Sequence, residues 1–254
     1  TGWRQRLAHG SIDVLKSMGA VWFARLPLST LKTCRSRLSV RTYFESIEAG
    51  AASTILGSIS DTSKAVFLLS ICGKRNQPVI LSMLGAARAA NLVVCMLNRK
   101  RKLVDCTTVL APPVHSCEAI VGMFLSMRSD TAASILEEMP STDAAPILAW
   151  MVYPDASKAC CFRCRQACRK GQPSGAGAAG EIMESLRPET AGKILDQMVS
   201  GEPSISIGSD VEAAASIVHY MTSAGTAGAL ALRDAVLPDA RQSAAARVGA
   251  WRTA

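Results

Sequence analysis

The densest set of reactive side chains is Cys160-Cys161-Phe-Arg-Cys164-Arg-Gln-Ala-Cys168, which holds four of the nine cysteines. Cys161-x2-Cys164 with Cys168 has the residue types to offer thiolates to Zn²⁺, but structural zinc sites join two separated ligand pairs and no second pair follows. The order is also the reverse of a Cys-x3-Cys-x2-Cys iron–sulfur triad. Cys160, Cys164 and Cys168 fall at i, i+4, i+8 on one helical face, where reduced cysteine packs as a small apolar residue. Packing, without stoichiometric metal, is therefore the expectation. Arg163, Arg165, Arg169 and Lys170 would lower the pKa of any thiol left accessible among them. The other cysteines, at 34, 72, 95, 106 and 117, are scattered, and an odd count without a spacing framework argues against a secreted disulfide fold.

The remaining chemistry-bearing types are dispersed. His9, His115 and His219 form no triad or ligand spacing, and no Ser/His/Asp or Cys/His arrangement accompanies them. The carboxylates show no matched acid–base pair. Gly171-Gln-Pro-Ser-Gly-Ala-Gly-Ala-Ala-Gly180 lacks the Lys-Ser/Thr ending and the preceding strand of a phosphate loop. No enzyme is expected. Arg99-Lys-Arg-Lys102 is a basic run after a helical segment, where cations complement the negative helix end. Without stacking aromatics or a recognition-helix pattern it does not indicate specific nucleic-acid binding.

The elements that would position these residues are written in a repeated unit. Ala132, Ile135, Leu136 and Met139 stand at i, i+3, i+4, i+7, and twelve residues on Ala144, Ile147, Leu148 and Met151 repeat the pattern. This is one face of a 3.6-residue period. Ser129 and Ser141 occupy expected N-cap positions, and Asp130 and Asp143 place negative charge at positive helix ends. Pro146 removes one early hydrogen bond of the second helix.

The same unit recurs as Ala52, Ile55, Leu56, Ile59; as Lys64, Phe67, Leu68, Ile71; and as Ala89, Leu92, Val93, Met96. It returns as Ala191, Ile194, Leu195, Met198, as Ala214, Ile217, Val218, Met221, and more weakly at Thr226, Ala229, Leu230. Helices of two or three turns do not persist alone in water and must stack. The pattern predicts an all-α chain, a right-handed α-solenoid (armadillo-like superhelix) of short hairpins.

Leu136-Glu-Glu-Met-Pro-x-x-Asp-Ala-Ala-x-Ile-Leu148 and Glu184-Ser-Leu-Arg-Pro-Glu-Thr-Ala-Gly-Lys-Ile-Leu-Asp-Gln-Met198 resemble the intracellular N-terminal domain of MgtE-type magnesium transporters, a right-handed superhelix of short helices. A weaker similarity is to flagellar motor-switch and motility-type helical repeats. The resemblance runs in patches from about residue 45 to 237. It implies a regulatory, magnesium-sensing module without a pore of its own, serving a transporter membrane domain. Mg²⁺ takes hard oxygen ligands, keeps most of its waters and needs only one or two carboxylates. The candidates under that reading are Glu137, Glu138, Asp143, Glu184, Glu189 and Asp196. Neither the membrane helices nor the paired regulatory domains of that family are expected within these 254 residues. The alternative is a scaffold that binds a protein partner along its groove and has no ion role.

The 254 residues suffice for one large or two modest domains. Aromatics are 5% and apolar residues 49%, a balance that suits packed helices. The net charge of +8 is uneven, since residues 1–41 hold eight Lys/Arg against the single Asp13. Between 118 and 158 six acids face two bases, and between 181 and 239 nine acids face three. The expected division is a basic arm at 1–41, a first repeat block at 42–160, a Cys/Arg-rich segment and Gly/Ala linker at 161–180, a second, acidic block at 181–240 and a tail at 241–254. The arm has the composition of a targeting or membrane-facing segment, and more plainly of a poorly ordered basic terminus. The start at Thr1 suits a fragment or processed product. No window of eighteen uninterrupted apolar residues occurs, so a soluble, intracellular protein is expected.

Overall fold

The computed structural model describes residues 25, 27–31, 34–104, 117–152, 175–200 and 210–223. Every regular element among them is helical, as the periodicity predicts. None of these helices is long and apolar enough to cross a membrane. The contacts divide the chain at 115/116 into two units.

Unit 1 contains α1 (Leu28–Leu31), α2 (Cys34–Ser46), α3 (Ala49–Ser58), α4 (Thr62–Ile71), α5 (Asn76–Met83) and α6 (Ala86–Val104). Alternate helices lie together: α2 against α4, α3 against α5, and α4 against α6. The repeat positions explain why. Ala52, Ile55, Leu56 and Ile59, then Phe67, Leu68 and Ile71, then Ala89, Leu92, Val93 and Met96 are all buried. Lys64 stands where every other copy but the weak one at Thr226 has alanine, and it is buried too, at 4% exposure. Desolvation lowers its pKa, and the nearby Asp61 partly offsets this.

Local chemistry closes the ends of these short helices. Asp61 Oδ1 accepts from the backbone N–H of Ser63 (2.9 Å) and Lys64 (3.2 Å), capping α4. Gly85 takes φ +79° at the α5–α6 turn, a left-handed conformation that favours glycine. Arg88 Nη2, in the first turns of α6, donates to the carbonyl of Ile59, the C-cap residue of α3. The basic run Arg99–Lys102 falls inside α6 rather than after it. Lys and Arg are good helix formers, and no glycine or proline intervenes to stop the helix.

Unit 2 contains α7 (Cys117–Leu125), α8 (Ser129–Glu137), α9 (Ser141–Val152), α10 (Ala176–Ser185), α11 (Pro188–Ser200) and α12 (Asp210–Ser223). Alternate helices again pair, as α7 with α9, α8 with α10, α9 with α11 and α10 with α12. In addition α9 touches α10 and α12, and α11 touches α12. The central helix α9 is accordingly buried from Asp143 to Val152 except at Pro146. Ala132, Ile135, Leu136 and Met139 of the first copy are buried with it, as are Ala191, Ile194, Leu195 and Met198. In the last copy Val218 alone is half-buried.

Two local expectations are corrected. Ser129 and Ser141 are the first residues of α8 and α9 rather than their caps; Arg128 is the N-cap of α8, and it makes no side-chain cap. The Gly/Ala segment read as linker is helical from Ala176, with Ala179 and Gly180 buried. Its small residues permit close approach. A Cβ on Gly175 would collide with the Met151 carbonyl, and one on Gly180 would enter the Tyr220 ring of α12. Gly175 N–H also donates to Val152 O at 3.4 Å, joining the end of α9 to the start of α10.

Candidate functional site

The six candidate carboxylates all lie in unit 2, and the fold puts them to different uses. Glu137 ends α8, and its Oε1 accepts from the backbone N–H of Arg187 at 2.8 Å and from Arg187 Nε at 3.2 Å. The Arg187 carbonyl in turn accepts from Thr190 N–H (2.9 Å) and Ala191 N–H (3.0 Å), so Glu137 holds the entrance of α11. A carboxylate beside a helix N-terminus is favourable for the same reason a cap is: it meets donors with no intrahelical acceptor. The two stretches that carry the family resemblance therefore touch through Glu137 and Arg187.

Removal of the carboxylate in Glu137→Ala is expected to cost about 0.5–2 kcal/mol, the range of a lost cap. Equilibrium urea denaturation measures it. Equal stability of variant and parent would show that water replaces the tie without loss.

Asp143 departs from the solvated acidic face expected of it. It lies in the first turn of α9 and is 5% exposed. Glu138 is the exposed C-cap residue of α8, Glu184 is exposed in the last turn of α10, and Glu189 and Asp196 are exposed on α11. Glu189 sits in the first turn, where its charge complements the helix dipole. Among the described residues no three His, Cys, Asp or Glu side chains are grouped as metal ligands. Asp130 is engaged locally: the backbone N–H of Thr131 at 2.7 Å is the main cause of its lowered pKa, with the Thr131 hydroxyl and Arg128 also contributing.

The cluster Cys160–Cys168 lies outside the described residues. Of the other thiols, Cys72 is buried and donates to the Leu68 carbonyl at 3.3 Å. Burial pushes its pKa up to about 12, with the Glu45 charge adding to the rise and a backbone hydrogen bond opposing it. Almost no thiolate is present at neutral pH, so Cys72 is expected to resist alkylation in the native chain and to react once urea unfolds it. Peptide mapping by mass spectrometry reads this directly. Labelling of native Cys72 as fast as in the unfolded chain would show that unit 1 opens readily.

Arg187 was not among the candidate residues, although an arginine immediately before a helix-opening proline is a visible signal. Arg88 and Tyr220 gave no such signal, because their partners are a carbonyl and two glycines distant in sequence. Comparison of the chain with protein-family models, curated proteins and solved structures gives no match.

Proposed function

We propose that the chain is a non-catalytic helical-repeat scaffold that binds a protein partner along stacked short helices, built on a right-handed solenoid arrangement. The observation that supports this reading is the pairing of alternate helices in each unit, the contact order of stacked hairpins. Repeats that bury one face on their neighbours leave a continuous opposite face for a ligand of protein size. The carboxylates add support, since Glu137 is engaged in a helix tie and Asp143 is buried.

The magnesium-sensing reading implied by the MgtE-type resemblance is favoured by one observation. Glu138, Glu184, Glu189 and Asp196 remain exposed on unit 2, as an outer-sphere site would require. Thermal unfolding separates the two. A sensor with a dissociation constant of about 1 mM gains about 1.4 kcal/mol at about 10 mM free Mg²⁺. In a protein of this size that is about 3–6 °C. The scaffold reading expects equal midpoints in MgCl₂ and in NaCl of matched ionic strength, together with a purified partner whose binding does not depend on Mg²⁺. A rise of that size in MgCl₂, lost in Glu184→Gln with Glu189→Gln, would replace it with the ion reading.

A further inference from the structure

Among the described residues only three large apolar side chains are exposed: Val79 at 45%, Met83 at 56% and Leu125 at 39%. Val79 and Met83 lie one turn apart on α5. Arg75, one turn before Val79, already has helical backbone angles (φ −70°, ψ −31°), so Arg75, Val79 and Met83 form a single i, i+4, i+8 stripe. Lys74 beside it and Ser82 within it are exposed. The opposite side of α5 is spent on the core, where Gln77, Pro78, Ile80 and Leu81 are buried. The stripe and its flank thus combine two bases, Lys74 and Arg75, with two apolar side chains that leave about half of their surface in solvent.

The charge around it is one-sided. No Asp or Glu occurs from Thr62 to Val104, and unit 1 as a whole holds sixteen Lys/Arg against five Asp/Glu. Of the described acids in unit 1, Glu45 pairs with Arg41 at 2.8 Å and Asp61 is engaged as the cap of α4, leaving Glu48. The next helix, α6, contributes the four consecutive bases Arg99–Lys102 to the sequence of its last turns.

We propose that unit 1 docks on anionic lipid surfaces through the α5 face bearing Lys74, Arg75, Val79 and Met83. This goes beyond the scaffold reading and does not depend on it. Bases draw the face to acidic headgroups, and the aliphatic pair enters the headgroup–acyl boundary, where exposed apolar surface is removed from water. The composition of the stripe separates this from the other anionic partners. A phosphate backbone gives Val79 and Met83 nothing to contact, and the stripe offers no ring for a base to stack on. A partner helix would need walls beside the aliphatic pair, whereas its neighbours Lys74, Arg75 and Ser82 are themselves exposed.

The test is co-sedimentation of the full chain with phosphatidylcholine vesicles with and without phosphatidylserine. Binding to the phosphatidylserine vesicles is expected, with a loss of about fivefold for each base removed in Lys74→Gln and Arg75→Gln, the effect of about 1 kcal/mol per charge near such a surface. Val79→Ser with Met83→Ser is expected to weaken binding with no change in net charge. Arg128→Gln with Lys193→Gln lowers the net charge equally from unit 2 and should have little effect. All these side chains are exposed, and circular dichroism checks that helicity is kept. The proposal is overturned by equal binding to both vesicles, by equal loss in the unit 2 control, or by unchanged binding in the Val79/Met83 variant. Stronger binding to a duplex oligonucleotide that survives Val79→Ser with Met83→Ser would overturn it in favour of nucleic acid.

Discussion

Replacement of Leu136 by alanine is expected to lower the unfolding free energy by about 2–5 kcal/mol, the range for truncating a fully buried leucine. Leu136 is 0% exposed in α8, which packs on α10, and the neighbouring Ile135 and Ala132 are equally enclosed. The loss combines the transfer energy of the deleted carbons with the cavity left between helices too short to collapse independently. Urea denaturation followed by tryptophan fluorescence, to which Trp150, 3% exposed in α9, contributes, measures the loss. Ser134→Ala, on the exposed side of the same helix, should stay within about 0.5 kcal/mol. Similar effects at the two positions would mean that the buried face of α8 is not a packed interface.

Gly180→Ala is expected to change sign with its surroundings. In the parent chain the added methyl meets the Tyr220 ring at Cδ1, with Cε1 at 3.2 Å, and overpacking of this kind costs about 1–3 kcal/mol. Gly177, one turn earlier on α10, faces the same ring, since a Cβ added there would stand 3.2 Å from Tyr220 Cε2. With Tyr220→Ala already in place the obstacle is gone. The same Gly180→Ala then stabilises by about 0.5–1 kcal/mol, the ordinary gain of alanine over glycine inside a helix. The four-member cycle measures the coupling. Additive effects in the two backgrounds would show that α10 and α12 do not meet at this glycine.

The helices and their buried faces were legible because each rests on a local period. Ile135, Leu136, Ile147, Leu148, Ile194 and Leu195 are read from spacing alone and all prove buried. Lys64, at the first position of its copy, is buried as well, although lysine by its type argues for solvent. Legibility fails where the deciding partner is far away in sequence. The Gly/Ala stretch looks like a linker because glycine weakens an isolated helix. It becomes helical where Tyr220 and the end of α9 require residues without side chains beside them. Ser129 and Ser141 look like caps by type, yet each helix starts one residue earlier than that role requires. Among the candidate carboxylates, Glu137 is visible in the sequence as a charge but its use is not, since Arg187 lies fifty positions away. The burial of Asp143 was hidden for a related reason, because it depends on how many neighbours surround α9.

The hydrogen bond from Gly175 N–H to Val152 O has a topological consequence. It fastens the last residue of α9 to the residue that opens α10, so the two helices share one fixed corner. A side chain at position 175 would press on the Met151 carbonyl beside that bond, so a single substitution there is felt by both helices at once.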